Sequence, residues 1–220
     1  MVDRTTHLPS FVSLVASGDS DPNTKIDVGI GIKGAKRYVF WTRAGDILYS
    51  FYDARTQTWS SSTTLITGNV DLMEVTYNSN YIFLVWTEYG TIYLKRFNGN
   101  TWSETFTVGN VTKTDGGYVT IDEISVDCDG NKVFVAGAFM DYQIYLFYNT
   151  NAGEGDWNRV QVTDTDAYSR FPSICAENGY VHMVEVEQDI NSNNYKIHKI
   201  RYIRNNVQNN FDFCIVQTIY

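Results

Sequence analysis

The sequence predicts an all-β chain: a β-propeller built from four-stranded antiparallel blades. Three observations carry this. A fixed order of motifs recurs at a period of about 45 residues. Apolar and polar residues alternate with period two in segments such as QIYLFYN and YKIHKIRYI, and no segment shows a sustained apolar period of 3.6. The 16 Tyr, 12 Phe and 5 Trp, among many Val, Ile and Thr, favour pleated strands, and Asn, Gly, Ser and Asp fill the spaces between them.

The elements follow from the repeats. The first unit opens with IDVGIGIKGAK and continues with FWTRAGDILYSFYDARTQTWS at 40–60. The second opens with LMEVTYNSN and continues with VWTEYGTIYLKRFNGNTWS at 85–103. Trp41-Thr42 aligns with Trp86-Thr87, and Trp59-Ser60 aligns with Trp102-Ser103. Ile47 and Tyr49 align with Ile92 and Leu94 if one gap is allowed. IDEISVDCDGN followed by 132–158 gives a third copy ending in Trp157. PSICAENG followed by 180–212 gives a fourth, with Phe211 where Trp would stand.

Hairpin signals such as NSN, DGN and ENG divide each copy into strands. The second unit reads as strands at 72–77, 81–87, 91–97 and 103–108. The third reads as 121–127, 132–139, 143–148 and 158–163. In FNGNTWSE, 97–104, the turn joins third strand to fourth. The Trp begins the fourth strand and is expected to wedge between neighbouring sheets, where a buried indole removes roughly 200 Å² from water.

The expected organisation is an N-terminal segment, 1–24, carrying one spare strand at 10–17, and a propeller at 25–220. Its blades are at 25–66, 71–110, 118–164 and 168–220. Two arrangements suit four blades. One is a small closed ring, with the spare strand hiding an edge of the last blade. The other is part of a larger ring completed by a partner chain.

Charge and hydropathy exclude several classes. A formal charge of −8 and a pI near 4.8 repel polyphosphates, so nucleic acid is not an expected partner. The longest apolar run, YIFLVW, is too short to cross a bilayer as a helix, so no membrane insertion is expected. The start, MVDRTTHLPSFVSLVASGD, lacks a basic run before its apolar piece and reads as a strand rather than a secretion signal. The expected setting is soluble, at an extracellular or virion surface. Cys128, Cys175 and Cys214 show no CxxC spacing and read as buried reduced thiols, with one disulfide as the alternative.

FNGNTWSE, with Gly99 three residues before Trp102, resembles a shortened Asp-box of the sialidase-type (BNR-repeat) propellers. YSRFPSICAENGYVHMVEV at 168–186 is similar to the opening of blades in that superfamily. The resemblance implies the fold. In a sialidase it would also imply three arginines clamping a carboxylate, a tyrosine nucleophile assisted by a glutamate, and an acidic acid/base. The Arg-Ile-Pro signature is missing here. Arg170 in SRFPS is the nearest approach, with Phe171 where Ile would stand, and Arg43 follows the second strand of the first unit.

Other chemistry has its candidates. Glycoside hydrolysis needs two carboxylates across a cleft, and Glu74, Glu88, Glu123, Asp141, Glu185 and Glu187 fall near strand ends. Glu185 and Glu187 share one strand face, which reads as a solvated or pore-lining stripe. DCDGN at 127–131 and DSDPN at 19–23 place oxygen ligands at alternate positions, so calcium is the one ion to consider; otherwise no cofactor is expected.

Asp46, Glu88, Tyr89, Asp141, Tyr142 and Tyr168, with Arg43 and Arg170, fall in equivalent loops that a propeller would gather on one rim. Aromatic faces and hydroxyl-binding groups there suit a glycan or protein surface. The expected function is therefore non-enzymatic recognition, in a lectin-like or assembling chain. A structural component of a virus particle or appendage, and a sialidase-like hydrolase, stand as alternatives.

Overall fold

The computed structural model describes residues 27–113, 116–164, 167–188, 197–206 and 214–219. The spare strand expected at 10–17 and the DSDPN loop lie outside them. Four antiparallel sheets follow one another along the chain. The first holds β1 (Val28–Lys33), β2 (Lys36–Arg43) and β3 (Asp46–Asp53), with two short pieces, β4 (Thr58–Trp59) and β5 (Thr63–Ile66), both paired to β3. The second is β6 (Leu72–Tyr77), β7 (Ile82–Glu88), β8 (Thr91–Phe97) and β9 (Phe106–Asn110). The third is β10 (Ile121–Asp129), β11 (Lys132–Phe139), β12 (Ile144–Asn149) and β13 (Asn158–Gln161). The fourth is β14 (Tyr168–Glu177), β15 (Tyr180–Gln188), β16 (Ile197–Asn206) and β17 (Cys214–Ile219). The chain is all-β, with the four-stranded blades of a β-propeller.

Three apolar layers join the sheets. Tyr38, Phe40 and Ile47 of the first meet Met73, Ile82, Leu84 and Trp86 of the second. On the other face of β7, Phe83 and Val85 meet Val133, Val135 and Phe147 of the third. Phe134, Ala136 and Leu146 then meet Ala176, Val181 and Met183 of the fourth. β7 and β11 are thus buried on both faces, which is why IFLVW and VFVAGAF are unbroken apolar runs instead of alternating ones.

The first strand of each sheet is the innermost. β1 packs on β6, β6 on β10 and β10 on β14; among the described residues no comparable packing joins β14 back to β1. Gly29 and Gly31 permit the first approach: a Cβ at these positions would lie 2.5 Å from Val75 Cγ2 and 2.7 Å from Ile82 Cγ2.

Side chains then satisfy the backbone where inner strands meet without a ladder. Asp27 Oδ2 accepts the Met73 amide at 2.8 Å. Alternate residues of β10 do the same for β14: Glu123 accepts from Phe171, Ser125 from Ile174, Asp127 from Ala176 and Asp129 from Gly179. Asp127 also accepts the Thr76 hydroxyl at 3.0 Å, so one carboxylate ties β6, β10 and β14 together. Asp127→Ala is expected to cost about 2 kcal/mol, since bonds to a charged acceptor are worth roughly 1.5–3 kcal/mol each and water recovers part of the loss. Urea unfolding monitored by far-ultraviolet circular dichroism measures it.

The FNGNTWSE turn is resolved in detail. Asn98 Oδ1 accepts the amides of Asn100 and Thr101 at 2.8 and 2.9 Å, and Gly99 takes φ +105°. Trp102 packs on Phe97, Phe40 and Tyr49, and so wedges the first two sheets. Ser103 explains the recurrent Trp-Ser. Its hydroxyl accepts the Arg96 amide while its own amide donates to Arg96 O; Ser60 does the same to Phe51. This detour delays regular pairing of the fourth strand, so β9 begins at Phe106, three residues later than the pattern predicts.

Trp157 packs against the layer between the second and third sheets. Trp59 departs from the expectation. It is 38% exposed and rests on Tyr52 of its own sheet, with ring centroids 5.6 Å apart. By register it shares the face of Val28 and Ile30, turned away from the second sheet. Those two residues are 71% and 62% exposed, because no blade among the described residues packs there.

The cysteines also differ from the expectation of buried thiols. Cys128 is half-buried and free; Cys175 is free but exposed. Burial, with the charges of Asp127 and Asp129, raises the Cys128 thiol, which makes it a poor nucleophile at neutral pH. Among the described residues no helix is long and apolar enough to cross a membrane.

Candidate functional site

The turns between second and third strands, and the connections that lead into each inner strand, share one end of the blades. Val70 N donates to Gly45 O, Met140 N to Thr120 O and Ser169 N to Tyr142 O. Ala44-Gly45 and Tyr89-Gly90 each place two successive residues at positive φ, the geometry of a two-residue hairpin turn that matches strand twist.

All eight residues expected to meet a ligand sit at or near this end, in separate groups. Arg43 and Asp46 face each other across the first turn, and Asp46 Oδ1 accepts the Gly68 amide. Glu88 Oε1 accepts the Asn69 amide at 3.2 Å, and the Asn69 side-chain amide donates to the Tyr89 hydroxyl. Tyr89 holds φ +50° and stands 70% exposed. Asp141 accepts from Tyr145 OH at 2.7 Å; burial, then this bond, holds Tyr145 protonated well above the usual phenol range. Tyr142 and Tyr168 meet edge to face, with centroids 3.9 Å apart. Arg170 lies further in, with Nη2 at 3.5 Å from Asp122 and 3.6 Å from Glu123.

At the same end of the inner strands, charged side chains gather. Asp27 leads into β1 and is anchored there: its amide donates to Thr42 Oγ1, and its carbonyl accepts the Thr42 amide. Glu74 lies on β6, Asp122 and Glu123 open β10, and Arg170 lies on β14. Glu74 reaches solvent, yet the surrounding protein first, and the Asp27 charge second, raise its pKa above the usual carboxylate range. Asp27 and Glu74 thus place two carboxylates at the same end of neighbouring inner strands.

Phe171, next to Arg170, holds φ +54° and stands 52% exposed, under the Arg170 guanidinium at 5.3 Å. Positive φ at a bulky residue is an outlier, held here by the Glu123 bond to its amide and by the bulge between Arg170 and Ser173.

One sequence reading changes. Glu185 and Glu187 are not a solvated stripe: they are 0% and 9% exposed, on the Met183 side of β15 that faces the third sheet. The DCDGN carboxylates are engaged in holding β14, and among the described residues no group of three His, Cys, Asp or Glu could hold a metal. Asp27 and Asp122 escaped the sequence reading. The signal for them is IDVGIGI and IDEISVD, where an apolar-Asp pair opens an inner strand.

No family model matches the chain, and no curated protein matches it. Solved structures do. An α-L-arabinanase of Penicillium chrysogenum superposes with TM-score 0.56 at 11% identity, over 81% of this chain and 62% of that one. A neuraminidase-like protein of the isolate A/little yellow-shouldered bat/Guatemala gives 0.54 at 9%, over 86% and 58%. A mutant of the NanB sialidase of Streptococcus pneumoniae gives 0.52 at 12%, over 79% and 28%. The chain spans less than two thirds of each of these three.

The likeness is one of fold: these three are β-propellers with which this chain superposes. The expectation of a module without catalysis, which rested on the missing arginine signature, is corrected: the solved structures that share this fold are named as an arabinanase and a sialidase, so the missing signature does not set this fold apart from enzymes.

Proposed function

We propose that the chain acts on carbohydrate as a glycoside hydrolase, at the end of the inner strands where Asp27 and Glu74 lie. The observation that carries this reading is the placement of Glu74 on β6 at the same end as Asp27, where the surrounding protein first and the Asp27 charge second raise the Glu74 pKa. Glu74 gives its proton to the glycosidic oxygen as the C–O bond breaks. Asp27, braced by the Met73 amide, takes the proton of the attacking water. Tyr89, Tyr142, Tyr168 and Phe171 supply aromatic faces for sugar rings, and Arg43, Asp46, Glu88, Asp141 and Arg170 supply hydroxyl partners.

The substrate is a neutral glycan. Among the described residues Arg43, Arg159 and Arg170 are the arginines that stand toward this end, and Arg159 already donates to Asn110 O. Arg170 is already shared between Asp122 and Glu123, and the chain carries a charge of −8. Assays with aryl glycosides of neutral furanoses and pyranoses, beside an aryl sialoside, test it. Turnover of a neutral glycoside is expected. Cleavage of the sialoside alone, or of none, counts against the reading.

A further inference from the structure

Apart from the inner-strand carboxylates, the space between the first two blades is open. A cleft of about 410 Å³ opens there, lined by Leu65, Ile66, Thr67, Trp86, Glu88, Tyr93 and Thr105. Trp86 is 3% exposed, yet its Nε1–H has no hydrogen-bond partner. A buried donor left unpaired is costly, and most such groups in folded proteins find one. Tyr93 stacks on Trp86, with centroids 5.7 Å apart and planes at 28°.

The next interface serves as an internal control. By register Tyr145 in β12 corresponds to Tyr93 in β8: the former opposes Gly137 and Gln161, the latter Trp86 and Thr107. There Phe139 packs edge-on against Tyr145, Asp141 accepts its hydroxyl, and Arg159 lies over its ring at 5.6 Å while donating to Asn110 O. Space and polar groups are both satisfied. Between the first two blades Thr105 stands two positions before Thr107, where Arg159 stands two before Gln161, so no guanidinium closes over Tyr93. The same architecture is filled at one interface and open at the other.

We infer that this cleft binds one residue of a neutral sugar. Tyr93, Leu65 and Ile66 offer apolar surface to the C–H face of a ring. Glu88 and the Thr67 and Thr105 hydroxyls offer the acceptors and donors that sugar hydroxyls need. Glu88 disfavours an anionic sugar. Bound here, a glycan is held beside the inner-strand mouth without being cleaved.

The test follows the Trp86 indole N–H by NMR in the ¹⁵N-labelled chain, assigned by its loss in Trp86→Phe. Methyl glycosides of arabinose, glucose, galactose and mannose are titrated to millimolar levels. At least one is expected to shift that signal saturably and leave the other indoles in place. Thr105→Arg, which refills the cleft as Arg159 does next door, should weaken the effect about ten-fold or more while the indole signal persists in the folded protein. Glu74→Gln should leave it unchanged, which separates this cleft from the hydrolytic reading. No shift with any glycoside, or a shift that survives Thr105→Arg undiminished, overturns the proposal.

Discussion

Trp102→Ala is expected to destabilise the chain by about 3 kcal/mol, near the low end for removing a large aromatic from a packed interior. At this length that is a melting-point loss of roughly 10 °C. The ring touches Phe40, Tyr49 and Phe97, so its removal opens a cavity shared by two sheets that neither can close alone. The loss is held to the low end because the Trp102 Nε1–H is buried without a partner, and alanine removes that unfavourable donor too. Trp59→Ala, in the aligned position of the first repeat, is expected to cost under about 1 kcal/mol, because its ring is exposed and rests on Tyr52 alone. Differential scanning calorimetry of the two variants side by side separates a wedge from a surface ring that shares its sequence context. Equal losses would mean that the motif, not its place between sheets, sets the energy.

Glu74→Gln is expected to lower glycoside turnover by about 100-fold or more, as removal of a general acid does. The same substitution should raise stability at neutral pH. A carboxylate whose folded pKa lies above its unfolded value binds more protons when folded. Its favourable contribution is present below the unfolded pKa and fades as pH rises through the folded one. Glutamine cannot ionise, so the gain should be visible at pH 7 and vanish on acidification below the carboxylate range. Loss of activity with gain of stability marks a site held at a cost. Loss of both would reduce Glu74 to a structural residue.

The repeats made much of this architecture legible. Trp41-Thr42 and Trp86-Thr87 occupy the same strand of successive sheets, and NSN, DGN and ENG sit in the expected hairpins. Boundaries slipped where a side chain replaced the ladder, as Ser103 does before β9. The exposure of Trp59 was hidden because it depends on which face has a neighbour, and a local pattern cannot report that. The end of the blades at which the candidate loop residues stand followed from their place in the repeats. The closeness of Asp27 to β6 did not, since the bond that its carboxylate accepts from the Met73 amide depends on inner-strand packing that only Gly29 and Gly31 foreshadow. Glu185 and Glu187 misled for the same reason: alternation places them on one face but does not say whether that face is wet.

A crystal structure of the Glu74→Gln chain soaked with a neutral oligosaccharide tests the functional claim most directly. A scissile bond lying between residue 74 and Asp27, with sugar rings on the Tyr89, Tyr142 and Phe171 side, is the predicted result. A sugar held only on the far end of the blades, or none bound at the inner strands while the wild-type chain still cleaves it, would contradict the assignment.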